Sequence, residues 1–205
     1  MTASDDLLQR IDLRLTLDKN PWEQPLGKGS WPQAAVLVAL TEEPEPRVLL
    51  GRRAMHLKLH PGEIAFAGGK REAEDFSPWD TATREAMEEV GLPVSKIRPL
   101  GELEPLVTRT GFEVFPCVAG VPAAPDLVID SDEFDSVFFV PLAVFCDPKI
   151  FRMETMSYGS QTRRVPHYQV GEDNIWGVTA AILVMLVNVA YDVGFDLERD
   201  WTQQP

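Results

Sequence analysis

The feature that most constrains this chain is the segment 84–92, which places Glu85, Glu88 and Glu89 within five positions and then reaches Gly91. On a helix, residues three and four positions apart share one face, so we expect the three side chains to form one acidic cluster. Carboxylates this close repel one another unless a cation lies among them. Hard oxygen ligands of this kind suit Mg²⁺ or Mn²⁺ better than zinc.

The ends of this helix are marked by local signals. Ser77 and Pro78 predict an N-cap and a first helical position, and Asp80 completes a pattern like a capping box. Gly91 predicts the C-terminal end. The sequence therefore predicts a helix over residues 78–90.

One face of this helix carries small apolar residues. They recur at i, i+4 and i+8: Ala82, Ala86 and Val90. Such a stripe packs closely against a sheet, and we expect it to leave the edge with Glu85 and Glu89 facing outward. Arg84 lies one turn before Glu88, where it is placed to orient that carboxylate.

A basic segment precedes the helix. Residues 47–71 contain one acid, Glu63, and six basic residues: Arg47, Arg52, Arg53, Lys58, Lys70 and Arg71. A positive segment beside an acidic helix suits a polyphosphate, whose cations the carboxylates hold and whose oxygens the basic side chains hold. The double glycine at Gly68 and Gly69 lets the backbone approach a ligand and can turn a carbonyl toward a metal. A solvated basic loop in an acidic protein is the alternative interpretation.

These residues resemble a Nudix box: a glycine, five residues, an acid, seven residues, then Arg-Glu-aliphatic-x-Glu-Glu-x-Gly-aliphatic. Gly69 is followed after five residues by Asp75, and residues 84–92 fit the remainder. The departures are aspartate in place of glutamate and a spacing of eight residues between Asp75 and Arg84. The resemblance implies the Nudix fold, an α/β/α sandwich around a mixed β-sheet.

The resemblance also implies one Nudix hydrolase domain over residues 1–205. A helix and connector at 1–30 precede a core at 31–190. The apolar pattern predicts the strands of this core: 34–40, 47–51, 100–106, 112–121 and 137–140. Pro116 predicts an edge or a bulge in its strand. A hairpin is expected over 158–170 around Gly159-Ser160, and a closing helix from Ile175 onward, with Trp176 as a core residue at its start.

A second pattern resembles the signature of coenzyme A pyrophosphatases within the Nudix superfamily: Leu-Leu-Thr-x-Arg-Ser/Ala, three residues, Arg, three residues, Gly, three residues, Phe-Pro-Gly-Gly. Residues 49–69 keep this spacing throughout. Gly51 replaces the threonine, Lys58 the arginine and Ala67 the proline. Lys58 keeps the charge but lacks the planar fork that holds phosphate bidentately, so the substrate preference stays open.

The resemblance implies hydrolysis of the diphosphate linkage of coenzyme A or acyl-CoA to 3′,5′-ADP and (acyl-)4′-phosphopantetheine, with Mg²⁺ or Mn²⁺. Glu85, Glu88 and Arg84 are the implied catalytic residues. The implied metal ligands are Glu85, Glu88, Glu89 and the Gly69 carbonyl. The implied substrate-binding residues are Arg52, Arg53, Lys58, Gly68 and Lys70. The general base stays open among Glu63, Glu85, Glu102 and Glu133.

Two other functions compete with this one. A Nudix diphosphatase acting on ADP-ribose, NADH or a dinucleoside polyphosphate would use the same mechanism. A non-catalytic Nudix-fold nucleotide-binding protein is less favoured, because a binding module has no need of the complete set Arg84, Glu85, Glu88 and Glu89.

The composition limits the partners. A net charge of −13 over 205 residues argues against a nucleic-acid partner, which requires a basic footprint. The longest apolar run, 178–187, is well below the ~20 residues that a bilayer requires, so we expect a buried helix and no membrane partner. An acidic N-terminus and two separate cysteines, Cys117 and Cys146, predict a cytoplasmic protein with reduced core thiols. The chain is expected to be a monomer or a homodimer.

Overall fold

The computed structural model describes residues 3–15, 22, 23, 25–27, 29, 31–158 and 161–198. Its three α-helices are α1 (Ala3–Arg14), α2 (Pro78–Val90) and α3 (Gly177–Tyr191). Its first strands are β1 (Gln33–Thr41), β2 (Arg47–Arg53), β3 (Ile64–Ala65), β4 (Ala67–Lys70), β5 (Arg98–Glu102), β6 (Leu106–Val107), β7 (Glu113–Val121) and β8 (Phe134–Pro141). Its later strands are β9 (Phe151–Tyr158), β10 (Gln161–Val170) and β11 (Asp173–Trp176). Short 3₁₀ turns lie at Val94–Lys96 and Leu142–Cys146.

The main sheet has eight strands, with the central order β3-β2-β1-β7-β5. β1 and β7 run parallel from Gln33 opposite Glu113 to Thr41 opposite Val121, and the other pairs are antiparallel. The opposite edge of β1 is shared, because its first half pairs with β4 and Leu40 pairs with Val48 of β2. A separate sheet has the order β11-β10-β9.

Alternate residues of β1 enter two cores. Val38 and Leu40 pack with α1 and α3, whereas Ala35, Leu37 and Ala39 pack with α2 on the other face. This alternation follows from the two-residue period of a strand. The predicted α/β/α sandwich around a mixed sheet is confirmed.

The predicted bounds of α2 are confirmed. The Ser77 hydroxyl accepts a hydrogen bond from the Asp80 N–H at 3.2 Å, and Pro78 is the first helical residue. Gly91 adopts a left-handed conformation with φ of 68°, which glycine reaches without a Cβ penalty, and its N–H bonds to the Met87 carbonyl at 3.1 Å. The stripe at 82, 86 and 90 is buried.

Of the edge or bulge predicted for Pro116, the edge was wrong. Pro116 lies in β7, which is flanked by β1 and β5 instead of forming an edge. The predicted strand at 100–106 is interrupted, since β5 ends at Glu102 and β6 begins at Leu106. The Pro116 carbonyl accepts the Leu103 N–H across this interruption. A residue without an N–H is tolerated there because the neighbouring ladder is already broken.

One further detail differs from the sequence-based expectation. Ile175 lies in β11, so the closing helix begins two residues later at Gly177. The helix expected within residues 1–30 is α1, Ala3–Arg14. The turn Gly159-Ser160 lies outside the described residues, although β9 and β10 pair on both sides of it.

The predicted buried C-terminal helix is confirmed as α3, which shares a core with α1 and with residues of the main sheet. In the described part of the chain, no helix combines the length and apolar character needed to cross a membrane. Cys117 is buried, Cys146 is partly buried, and both are free thiols.

Candidate functional site

Two carboxylates of α2 meet the double glycine of β4. Glu89 is only 5% exposed, and its Oε2 accepts a hydrogen bond from the Gly68 N–H at 2.8 Å. The Glu85 carboxylate occupies the space that a side chain at Gly69 would fill. The glycine pair therefore allows helix and strand to approach so closely that both carboxylates rest against strand backbone.

The expected outward edge of Glu85 and Glu89 was wrong. Successive helical residues are rotated by about 100°, so the three glutamates fan out instead of converging. Glu89 turns toward the sheet, Glu85 is partly buried between the others, and the Glu88 side chain is 58% exposed. Glu88 instead pairs with Arg84 at 3.0 Å, as its spacing predicts.

Arg84 is fixed by a bidentate ion pair with Asp75. Its Nε and Nη2 lie 3.1 and 3.0 Å from the two oxygens of Asp75, which is 4% exposed. Nη2 also donates to the Lys70 carbonyl at 3.0 Å, and Nη1 lies 3.0 Å from Glu85 Oε1. One guanidinium thus connects the loop before α2, the end of β4 and the acidic face of α2.

This ion pair sets the charge states of its members. Burial alone would raise the pKa of Asp75, but hydrogen bonds from Arg84, the Glu72 N–H and Thr81 outweigh it and lower that pKa. The hydrogen bond with Asp75 raises the pKa of Arg84. Both groups are therefore held in their charged forms.

The pKa values of Glu85 and Glu89 are raised, in contrast to that of Asp75. Burial raises the pKa of Glu89 to about 8 despite the Gly68 hydrogen bond, and the charges of Glu85 and Glu133 add to the increase. Burial also raises the pKa of Glu85, against the effect of Arg84. The site therefore lacks enough positive charge to balance the buried carboxylate of Glu89 and the partly buried carboxylate of Glu85.

This imbalance decides whether the residues fit a divalent cation. Within the ranges that the structure describes, no three histidine, cysteine or acidic side chains already converge as a metal-binding set. Glu85 and Glu89 nevertheless supply neighbouring hard oxygens, and burial raises the pKa of both carboxyl groups as long as no cation lies beside them. The donor chemistry and the charge deficit fit Mg²⁺ or Mn²⁺, with Glu85 and Glu89 as the central donors.

The predicted substrate-binding residues separate into two groups. Gly68 and Arg53 lie beside the carboxylates, since Gly68 bonds to Glu89 and the charge of Arg53 lowers the pKa of Glu89. Arg52 instead forms an ion pair with Asp173, which ties β2 to β11. Lys58 is exposed. The exposed Lys70 places its Nζ 5.3 Å from the centre of the Phe112 ring.

The four candidates for the general base have different surroundings. Glu102 accepts the Trp79 indole N–H at 2.7 Å, and Trp79 is ten residues, about 15 Å along a helix, from Glu89. Glu63 pairs with His60 at 3.0 Å. Glu133 lies 3.4 Å from Arg53 and contributes to the raised pKa of Glu89. Glu85 and Glu133 are thus the candidates nearest the buried carboxylate.

A cavity of about 320 Å³ adjoins this site through Arg53. It lies between β3, β10, the start of α3 and the loop at 108–110. Its charged or polar lining includes Arg53, Arg109, Arg163, Glu63, His60 and three threonines, and its apolar lining includes Ile64, Val165, Trp176 and Val178. Arg109, Arg163 and Trp176 were not predicted as site residues. The three residues lie far apart in the sequence, and only the tertiary fold brings these positions together.

Comparison with known proteins agrees with this architecture. A family model described as NUDIX domain matches residues 31–156. The chain is 39% identical over 150 residues to a Yersinia enterocolitica protein described as "Uncharacterized Nudix hydrolase NudL", covering 73% of this chain and 77% of that one. A relative of the same description from Yersinia pestis is 38% identical, over 74% and 76% of the two chains.

Solved structures show the same fold. A MutT/nudix family protein from Enterococcus faecalis aligns with a TM-score of 0.52 and 20% identity, over 85% of this chain and 65% of that one. A NUDIX hydrolase from Alicyclobacillus acidocaldarius also aligns with a TM-score of 0.52, at 17% identity, over 82% and 96% of the two chains. With the family model covering more than half of its length, the chain belongs to the Nudix hydrolase family.

Proposed function

We propose that the chain is a metal-dependent diphosphatase that cleaves coenzyme A or acyl-CoA to 3′,5′-ADP and (acyl-)4′-phosphopantetheine. The observation that carries this proposal is the meeting of two motifs. The pattern at 49–69 that resembles the coenzyme A signature ends at Gly68 and Gly69, and these glycines contact Glu89 and Glu85 of the Nudix helix.

Basic residues in and beside that pattern would attract and bind the diphosphate. Arg53 lies between the acidic site and the cavity, so its guanidinium is placed to hold phosphate oxygens beside the carboxylates. Lys58 and Lys70 are exposed and would add long-range attraction for an anionic substrate. Arg52 would act indirectly, by holding β11 against β2 through Asp173.

The acidic face of α2 would hold the metal. Glu85 and Glu89 are the principal proposed ligands, with the Gly69 carbonyl as an additional one. When bound, Mg²⁺ or Mn²⁺ supplies neutralisation of the diphosphate charge and lowers the pKa of the attacking water. Glu88 would contribute from the exposed side through Arg84, which keeps Glu85 and Glu88 in place.

Proton removal from the attacking water would fall to Glu133 or Glu85. Both lie close enough to Glu89 to raise its pKa by repulsion. Glu102 is less suited, since its carboxylate is engaged by Trp79 near the opposite end of α2.

A substrate panel tests the proposal. We would incubate the protein with Mg²⁺ or Mn²⁺ and coenzyme A, acetyl-CoA, NADH, ADP-ribose or a nucleoside triphosphate, and identify the products by mass. Preferential release of phosphopantetheine supports the proposal. Cleavage of another compound in preference would keep the metal chemistry and retire coenzyme A as the substrate. No cleavage with either metal would favour a nucleotide-binding protein.

A further inference from the structure

The cavity beside Arg53 concentrates positive charge in an acidic protein. The chain carries a net charge of −13, yet three arginines from separate parts of the fold line one space of about 320 Å³. Glu63, paired with His60, is the acidic residue of that lining. Cavity walls of low polarity strengthen the electrostatic attraction between such charges and a ligand, so an anionic ligand is favoured there.

The remaining lining is suited to a ring system. Trp176 is partly buried and stacks on His167 with an interplanar angle of 13°, which fixes the indole at the cavity wall. Ile64, Val165 and Val178 supply apolar surface around it. Ligand sites commonly combine apolar and aromatic walls with a few polar groups, at volumes from about 300 Å³ upward. The cavity is at the lower end of that range, so it suits one part of a large substrate.

The three arginines of the cavity come from different elements of the fold. Arg53 is shared with the acidic site, whereas Arg163 is in β10 and Arg109 is in the loop after β6. The first turn of α3 also lines the cavity. Trp176 is at the N-cap position of this helix, and its side chain makes no capping hydrogen bond to the N–H groups of that turn. A substrate held by its diphosphate at Arg53 would therefore extend toward a second group of anion-binding residues.

We propose that this cavity binds the phosphorylated nucleoside half of the substrate, with Arg163 and Arg109 contacting a phosphate monoester that is separate from the hydrolysed diphosphate. This inference rests on the proposed function for the identity of that half, adenosine 3′-phosphate. The pantetheine half is uncharged, so it offers these guanidinium groups no anionic partner for a charge-assisted hydrogen bond. Arg163 and Arg109 thus become determinants of specificity, while the metal chemistry is left to α2.

Binding of product-like nucleotides tests this inference without turnover. We would titrate adenosine 3′,5′-bisphosphate and adenosine 5′-monophosphate into metal-free protein and measure both Kd values. The bisphosphate is expected to bind about tenfold or more tightly, the effect of one or two charge-assisted hydrogen bonds. In Arg163→Gln and in Arg109→Gln this preference should fall to within about threefold.

Arg164→Gln is the matched control. Arg164 is the next residue of β10, projects from the opposite face and pairs with Glu198 at 2.8 Å. It should keep the wild-type preference. Equal binding of the two nucleotides by the wild type, or an unchanged preference in both Arg163→Gln and Arg109→Gln, would overturn the inference. Arg109 is exposed in a loop, so its variant gives an answer even where Arg163→Gln unfolds.

Turnover separates this inference from the proposed function. The ratio of kcat/KM for coenzyme A to that for dephospho-coenzyme A, which lacks only the 3′-phosphate, should exceed 1 in the wild type and approach 1 in Arg163→Gln. A preserved ratio in that variant would overturn the inference and leave the diphosphatase standing. Absence of coenzyme A cleavage, together with an arginine-dependent preference for the bisphosphate, would retire the diphosphatase and leave the inference standing.

Discussion

Glu89 and Asp75 are both buried carboxylates, but their surroundings treat a negative charge in opposite ways. Asp75 receives both arms of the Arg84 guanidinium and two further hydrogen bonds, so its pKa is lowered. Glu89 receives one backbone N–H, and burial raises its pKa to about 8. Asp75 is therefore held as an anion, whereas burial disfavours the charged form of Glu89, which we propose as a metal ligand.

The raised pKa of Glu89 predicts a pH-dependent stability of the metal-free protein. Between pH ~4.5 and about 8 the folded state holds a proton that the unfolded state has released, so the free energy of unfolding falls as pH rises. The slope from this group is at most about 1.4 kcal/mol per pH unit. Denaturant titrations from pH 5 to 8 should show a smaller slope in Glu89→Gln. Equal slopes in the wild type and in Glu89→Gln would contradict a raised pKa of Glu89.

The lowered pKa of Asp75 predicts the opposite dependence of stability on pH. This lowered pKa stabilises the fold above the unfolded value of 3.8, and this stabilisation is lost as pH falls below it. Asp75→Asn should lower the free energy of unfolding at pH 7 by about 2 kcal/mol, because charge-assisted hydrogen bonds are lost. Asp80→Asn is the control: Asp80 is an exposed aspartate in the first turn of α2, and we expect a change within ~1 kcal/mol. Equal losses in the two variants would argue against the special role of Asp75.

At the scale of elements, local signals predicted what local interactions determine. The bounds of α2 depend on Ser77, Pro78 and Gly91, each of which acts on backbone groups within a few residues. The sequence could not show the exposure of Glu85, Glu88 and Glu89, since that depends on where β4 lies. The cavity was equally hidden, because Arg53, Arg109 and Arg163 are more than 50 positions apart and only the pairing of distant strands brings them together.

The contact between β4 and α2 gives a prediction at this scale. In Gly69→Ala, the added methyl group would meet the Glu85 carboxylate, the movable end of a flexible side chain. We expect a loss of stability of no more than ~1 kcal/mol and a loss of kcat/KM of about tenfold or more, as Glu85 is displaced. Ala67→Val lies in the same strand as Gly69 and is the control for crowding alone. Gly171→Ala would be a poor control, because Gly171 has a φ of 60°, where any side chain is strained. Unchanged kcat/KM in Gly69→Ala would exclude a close role for Glu85.

At the scale of the whole molecule, two cores share one sheet. Helix α1 belongs to the core of α3, where Leu8 and Ile11 are buried and Arg14 bonds to the Val189 carbonyl at 2.7 Å. The second sheet is tied to the first through Arg52 and Asp173. We therefore propose that helix α1 and the Nudix core unfold together as one domain.

Ile11→Ala tests that proposal. The side chain is fully buried, so its truncation should cost about 2–4 kcal/mol. Leu13→Ala, two residues later and 80% exposed, should cost less than ~0.5 kcal/mol. Tryptophan fluorescence and far-UV circular dichroism should report one shared transition that moves only in Ile11→Ala. Separate transitions for the two signals would show that α1 unfolds independently.

The account depends most on Glu89, so the most direct measurement is coenzyme A turnover by Glu89→Gln and Glu88→Gln in saturating Mg²⁺. We predict a loss of kcat of about 10³-fold in Glu89→Gln, equivalent to roughly 4 kcal/mol of transition-state stabilisation, with the fold retained. Glu88→Gln should lose far less, since Glu88 is exposed and held by Arg84. Near-normal release of 4′-phosphopantetheine by Glu89→Gln would contradict the proposed site.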